Sequence, residues 1–263
     1  MTVRFCANEA KSDARAAVAR LEGDAARAGL SVVRDGPADA VVALGGDGTI
    51  LRAARESGGI PVLGFNLGSL GYLAAVGEAD FGAALALLAA GRFRIAERTA
   101  LLARGPRGET ATAINDVVVM REMSGHAAVL EFAADSRAAM RYVADGLVVA
   151  TPTGSTAYSL ASGGPVVMPD SRSFVVTPIN PHALGVRPMV VGDGVSMSVT
   201  SRRRVNGVAE KIGVYADGEA VFKLGGDESA AISKAPAPAR FVELEGYDPY
   251  EVLSRKLGWA ERR

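Results

Sequence analysis

The sequence predicts an α/β plus all-β chain: an N-terminal Rossmann-like three-layer α/β domain, a C-terminal antiparallel β-sandwich domain, and a C-terminal helix returning to the first. Three observations carry this. Up to about residue 98, short apolar runs alternate with Ala-, Arg- and Glu-rich stretches, the pattern of βαβ units around a mostly parallel sheet. Beyond Thr99, strand-like runs follow one another without long helices, as in an all-β domain. The tail from Asp248 to Trp259 opens with an N-cap residue and Pro249 at the first helical position. The expected division is therefore 1–98, joined by 245–263, and 99–244.

Each element has a local reason. Val3 to Ala7 reads as a strand, Ser12 to Ala28 as a helix ended by Gly29, and Leu30 to Arg34 as a second strand. Ala40 to Leu44 is a continuous apolar run, expected of a parallel strand buried on both faces. The loop Gly45-Gly46-Asp47-Gly48-Thr49 follows, then a helix from Thr49 to Glu56, a strand from Ile60 to Phe65 and a helix from Phe81 to Ala90. In the second half, 101–103, 112–120, 127–132, 141–143 and 147–150 read as strands, and a helix start is expected at Ser155. Gly192-Asp193-Gly194, Asn206-Gly207 and Asp217-Gly218 read as hairpin turns.

Bulk composition excludes several classes of function. Equal numbers of basic and acidic residues, 29 each, argue against nonspecific binding to nucleic acid. Arg202-Arg203-Arg204 is read as a solvated hairpin end. Cys6 is the only cysteine, so neither an internal disulfide nor a cysteine metal site can form; a small buried hydrophobe is expected there. The apolar run Ala83 to Ala90 is far shorter than the roughly 20 residues a membrane span takes. The N-terminus lacks the apolar core of a signal peptide, and a cytoplasmic location is the expectation.

The glycine loop carries the chemistry. It stands at the carboxyl end of a parallel strand, where open α/β sheets bind ligands. Its glycines let backbone N–H groups approach a phosphate. Asp47 inside it would repel phosphate, yet it could orient a substrate hydroxyl and accept its proton. The structural alternative is a tight turn with Asp47 as a helix cap. The loop is neither a Walker A sequence nor Gly-x-Gly-x-x-Gly, which disfavours a hydride-transfer enzyme. Further candidates are the segment from Asn66 through Gly71 and Tyr72 to Leu73, the pair Asn115-Asp116 within an otherwise apolar strand, Asp145-Gly146, and the hydroxyl-dense run Thr151 to Tyr158.

Taken in order, these pieces resemble the NAD kinase family from end to end, together with Gly163-Gly164-Pro165, Thr177-Pro178-Ile179, Pro181-His182 and Arg187-Pro188. The resemblance implies that Asp47 accepts the proton of the adenosine-ribose 2′-hydroxyl of NAD. Gly45, Gly46, Gly48, Thr49, Asn66 and Tyr72 would line nucleotide sites, and Arg52 matches a basic position near phosphate, a solvated helix-surface arginine being the alternative. Asn115 and Asp116 match the pair that binds the adenosine ribose. His126 matches a substrate-contacting histidine of some members, and Asp145 the acidic residue that reads the nicotinamide end from a neighbouring subunit. Thr153, Ser155, Thr156, Ala157, Tyr158 and Ala161 fall on the segment that lies against the dinucleotide.

Mg²⁺ is implied through the phosphates of the donor, with no protein metal ligand. The donor is ATP or polyphosphate, and a homodimer or homotetramer is implied. Three positions depart from the family pattern: Val143, where many members carry Arg; Ala161, whose hydroxyl is displaced to Ser162; and Glu219, where Gln is frequent. Arg141, two residues earlier on the same strand face, is the expected substitute at the first. A lipid kinase with the same loop and a non-catalytic dinucleotide sensor are the competing readings.

Overall fold

The computed structural model describes residues 1–7, 12–68, 71–73, 76–122, 126–135, 137, 140–203 and 210–259, and for 12–16 the backbone alone. The chain forms two compact units, Met1–Glu97 with Ala239–Arg263, and Arg98–Pro238.

The first unit runs β1 (Thr2–Ala7), α1 (Ser12–Arg27), β2 (Ser31–Val33), β3 (Ala40–Leu44), α2 (Asp47–Glu56), β4 (Val62–Asn66), β5 (Val76–Gly77), α3 (Phe81–Ala89) and β6 (Phe93–Arg98). The second holds β7 (Leu101–Arg104), β8 (Thr110–Ala113), β9 (Asp116–Arg121), β10 (Ala128–Ala134), β11 (Met140–Ala144), β12 (Gly146–Ala150), the short α4 (Tyr158–Ala161), β13 (Ser173–Ile179), β14 (Met189–Gly192), β15 (Met197–Arg202), β16 (Ile212–Ala216), β17 (Glu219–Leu224) and β18 (Ser229–Lys234). The chain then returns to the first unit as β19 (Ala239–Leu244) and α5 (Pro249–Lys256).

The first sheet has strand order β2-β1-β3-β4-β19-β6, with β5 beside β4. Pairing is parallel from β2 through β19. Every residue of β3 and β4 is buried, as the apolar run in β3 predicted. Alternation sorts their side chains between faces. Val42, Leu44, Leu63 and Phe65 join the core under α1 and α3, and α2 packs on β3, β4 and β19. Asp248 caps α5 by accepting from Tyr250 N at 2.8 Å, ahead of Pro249.

The second unit is a sandwich of two six-stranded antiparallel sheets, β11-β10-β15-β18-β7-β8 and β14-β13-β12-β9-β16-β17. Their inner faces share one core that includes Leu130, Phe132, Leu147, Val149 and Phe174. The other face of β12 is covered as well. Val148 and Ala150 pack with Val118, Val175 and Ile179, and Val167 closes over them. The segment leading out of β12 is thereby pressed onto its own sheet.

Four sequence expectations change. Residues 239–244, assigned to the sandwich, form β19, paired in parallel with β4 through Phe241 and Val62. Helix α2 begins at Asp47, two residues before the expected start. The expected strand 112–120 breaks at Ile114-Asn115 into β8 and β9. Gly192-Asp193-Gly194 is no hairpin, because β14 pairs with β13 while β15 pairs with β10 and β18 in the other sheet. Asp217-Gly218 does turn between paired strands, β16 and β17; Asn206-Gly207 and Arg204 lie outside the described residues.

Phe65 ties β4 to α3: it is fully buried, its ring stacked on Phe81 at 4.4 Å between centroids. Phe65→Ala should destabilise the first unit by about 3–5 kcal/mol, read as a lowered urea midpoint.

Candidate active site

In the first unit, the glycine loop is fastened to the neighbouring strand by Gly45 N, which donates to Phe65 O at 2.8 Å. Gly46 is the N-cap of α2 and is extended (φ −77°, ψ 177°), with no side-chain cap. Asp47 is therefore the first residue of the helix, where the helix dipole favours a negative charge. It does not act as the cap. Its carboxylate accepts instead from the backbone of the second glycine segment, from Tyr72 N at 2.9 Å and Leu73 N at 3.1 Å. Gly71 permits this approach: a Cβ there would lie 1.9 Å from Asp47 Oδ1. The two motifs, more than twenty residues apart in sequence, are one local device.

The surrounding candidates divide. Gly46 and Gly48 are exposed and Thr49 is half-buried, at the start of α2. Asn66 is buried at the end of β4, and its Oδ1 accepts from Gly68 N at 2.9 Å, turning the chain. Burial, then the charge of Asp47, raises the pKa of the Tyr72 phenol, and Lys256 Nζ of α5 lies 5.8 Å from that ring's centroid. Arg52 is not a solvated surface residue. It is half-buried, with Nη2 3.5 Å from Ala7 O at the end of β1 and, among the described residues, no hydrogen-bond partner for its buried Nε. Cys6 is half-buried, and burial raises its thiol pKa.

In the second unit, the break between β8 and β9 puts Asn115 in the gap and Asp116 at the first position of β9. Thr151, fully buried, organises the break: Thr151 N donates to Asn115 O at 2.9 Å and its hydroxyl to Ile114 O at 2.6 Å. Gly154 N donates in turn to Thr151 Oγ1 at 3.0 Å. Residue 154 must be glycine, since a Cβ there would lie 2.0 Å from Asn115 O. The hydroxyl-dense segment is therefore clamped against Asn115-Asp116. Asp116 itself is 5% exposed, and its pKa is pushed up to about 7, first by burial and second by the charge of Asp217.

Several hydroxyls of that segment face inward. Ser155 does not open a helix: residues 153–156 make one 3₁₀ turn, and α4 starts at Tyr158 behind Ala157. The Ser155 side chain is fully buried, donating to Pro152 O at 2.7 Å and accepting from Val167 N at 2.9 Å. It holds the segment to the sheet and is not presented to a ligand. Ser159 is likewise spent on Thr177, at 2.8 Å. Thr153, Thr156 and Ala157 are half-buried, while Tyr158 and Ala161 are exposed.

Asp145, between β11 and β12, is held by two side chains that sequence reading missed. Arg121 Nε donates to Oδ1 at 2.6 Å and Asn180 Nδ2 to Oδ2 at 3.0 Å. These bonds, Arg121 first, hold the carboxyl below its ordinary pKa. Arg121 stands at the end of β9. Arg141 is paired opposite Glu131 in the β10–β11 ladder, and Val143 is exposed. His126 is exposed just before β10. The only advance signal for Arg121 was a charge ending an apolar strand.

An acidic residue at the first turn of a glycine-capped helix, at the carboxyl end of a parallel strand, has the geometry of a phosphotransferase acting on a hydroxyl, set in an α/β-plus-sandwich chain. The comparisons with known proteins narrow that class. Residues 4–93 match the ATP-NAD kinase N-terminal domain and residues 114–244 the ATP-NAD kinase C-terminal domain. The chain belongs to the NAD kinase family. It is 41% identical to the NAD kinase of Symbiobacterium thermophilum over 228 residues, 84% of this chain and 79% of that one. With the NAD kinase of Gemmatimonas aurantiaca it shares 39% over 245 residues, 90% and 83% of the two chains. Among solved structures, an Archaeoglobus fulgidus NAD kinase in complex with ATP superposes with a TM-score of 0.81 at 26% identity, covering 99% of this chain and 100% of that one. Yeast NADH kinase complexed with NADH, at 21% identity, shares the fold with a TM-score of 0.87, covering 100% and 89%.

Two expectations follow. Gly71→Ala should drive the Asp47 carboxylate from its two N–H donors and cut kcat by about tenfold or more, as misplacement of a reacting group does; steady-state NADP formation reads this. The raised Asp116 pKa makes the folded protein hold a proton that the unfolded chain releases. Its stabilising contribution is complete below pH 4 and lost as pH rises through about 7. Asp116→Asn should therefore gain stability relative to wild type between pH 5 and pH 8, by about 2–4 kcal/mol, in urea titrations at the two pH values.

Proposed function

We propose that this enzyme makes NADP from NAD by direct, in-line transfer of a phosphoryl group to the adenosine-ribose 2′-hydroxyl, with Asp47 as the proton acceptor. NAD kinase activity itself follows from the family; the residue roles are the proposal. The observation that supports them most is the Asp47 carboxylate, oriented by the N–H groups of Tyr72 and Leu73 at the start of α2. A base so fixed loses little freedom as the hydroxyl approaches, and positioning supplies most of the acceleration in phosphoryl transfer.

Asn115 and Asp116 bind the adenosine ribose in this reading, and Asp145 reads the nicotinamide end. Thr153, Thr156, Ala157 and Tyr158 lie along the dinucleotide, and the exposed backbone at Gly46 and Gly48 faces phosphate. Among the described residues no three His, Cys, Asp or Glu side chains are grouped to hold a metal. Mg²⁺ is proposed to enter with the donor phosphates and water; when bound, it would neutralise charge on the transferring group. ATP is the proposed donor, with polyphosphate as a second one to be assayed, and the assembly is a homodimer or homotetramer. No helix among the described residues is long and apolar enough to cross a membrane, and a cytoplasmic location is proposed with the rest.

Asp47→Asn should leave NAD affinity within about twofold while kcat falls by about 10²–10⁴, the range for losing a general base. Calorimetry measures the first and coupled NADP formation with ATP and Mg²⁺ the second. Near-normal turnover would remove Asp47 from the role.

A further inference from the structure

The turn between β16 and β17 carries a carboxylate that turn geometry does not require. Asp217 (φ +48°) and Gly218 (φ +83°) are both left-handed, as a two-residue turn between antiparallel strands demands. Asn or Gly at residue 217 would meet that demand equally. The contacts of the carboxylate are a separate matter. Oδ1 accepts from Asn115 N at 2.7 Å and from Asp116 N at 3.2 Å, and Oδ2 accepts from Ile114 N at 3.0 Å. Asp217 N donates back to Asp116 O at 3.0 Å. Three consecutive N–H groups converge on one anion, the arrangement by which backbone concavities hold charge.

Two of these residues are also held by Thr151, through Ile114 O and Asn115 O. Their path is therefore fixed by two side chains from two different strand ends. We infer that Asp217 is a positioning residue for the acceptor dinucleotide: its carboxylate holds Ile114–Asp116 in the bent path that aims Asn115 and Asp116, and its negative charge bears on Asp116. The inference rests on the reading that Asp116 receives ribose hydroxyls.

The charge has a consequence for binding. A ribose hydroxyl donates to the ionised carboxyl, so binding removes a proton from Asp116 and tightens as pH rises through about 7. Strand β12 and the 153–156 turn bring no titratable side chain to Asp116; β16 carries Tyr215, paired opposite Val118. The charge acting on Asp116 is that of Asp217. Removing it should let Asp116 ionise, and bind, at lower pH.

Three variants separate the parts. Asp217→Gly keeps the left-handed turn and deletes the carboxylate. Asp217→Asn keeps the turn and one acceptor oxygen and deletes the charge. Asp116→Asn tests the underlying reading. KM for NAD and kcat are measured from pH 5.5 to 8.5 with saturating ATP and Mg²⁺, and circular dichroism checks each fold. Asp217→Gly should raise KM about tenfold or more with kcat within about threefold, a loss of ground-state positioning. Asp217→Asn should keep KM within about threefold at pH 8 and move the midpoint of the KM–pH curve to lower pH.

An Asp217→Gly enzyme with KM within about twofold of wild type, together with an unmoved midpoint in Asp217→Asn, would overturn the inference. Should Asp217→Gly fail to fold, the Asp217→Asn midpoint alone decides. If the wild-type midpoint persists in Asp116→Asn, the ribose-binding reading has failed, and that result is independent of the KM change in Asp217→Gly.

Discussion

The Asp47 carboxylate accepts one N–H from Tyr72 and one from Leu73, and much of the first unit's local order serves to keep those groups in reach. Gly45 N binds the loop to Phe65 O, at the end of the strand from which the second glycine segment departs. Phe65 is stacked on Phe81, so the departing strand is anchored in the core. Asn66 then turns the chain, and Gly71 leaves the space a side chain would take. Backbone N–H donors fix both oxygens of that carboxylate in place. The second unit repeats the principle with a different role, since the Asp217 carboxylate gathers three N–H groups and organises its neighbours.

Two carboxylates of the second unit, Asp145 and Asp116, have opposite environments. Asp145 is matched by Arg121 and Asn180 and stays ionised well below neutrality. Asp116 is buried beside another negative charge and titrates near 7. Charge state thus separates a residue kept as a fixed anion from one that responds to what binds it. Neither property is visible in the dipeptides Asn115-Asp116 and Asp145-Gly146.

Local sequence made some features legible and long-range pairing hid others. β3 and the placement of the glycine loop follow from five apolar residues meeting a glycine cluster, a signal contained in ten residues. The start of α2 was displaced because Gly46, a poor helix former, caps without a side-chain bond. The break at Ile114-Asn115 was hidden inside an apolar run, being imposed by Asp217 and Thr151 from about a hundred and about forty residues away. Ser155 looked like a cap or a ligand contact, yet its hydroxyl is consumed by Pro152 and Val167. Arg121 and Asn180 could not be paired with Asp145 from sequence, because their meeting depends on the register of β9, β12 and β13. Residues 239–244 likewise show a strand pattern that does not say which sheet will take it.

That last strand has a consequence for how the protein is made. β19 sits between β4 and β6, and α5 follows it, while the whole sandwich intervenes in the chain between β6 and β19. During synthesis residues 1–97 emerge before the sandwich, but their sheet lacks an interior strand until the sandwich has been made. The sandwich, contiguous from Arg98 to Pro238, meets no such delay. The order of completion on the ribosome is thereby inverted relative to the order of the units along the chain, and the nascent α/β unit waits with β6 unpaired and β4 short of the partner that β19 supplies at Val62.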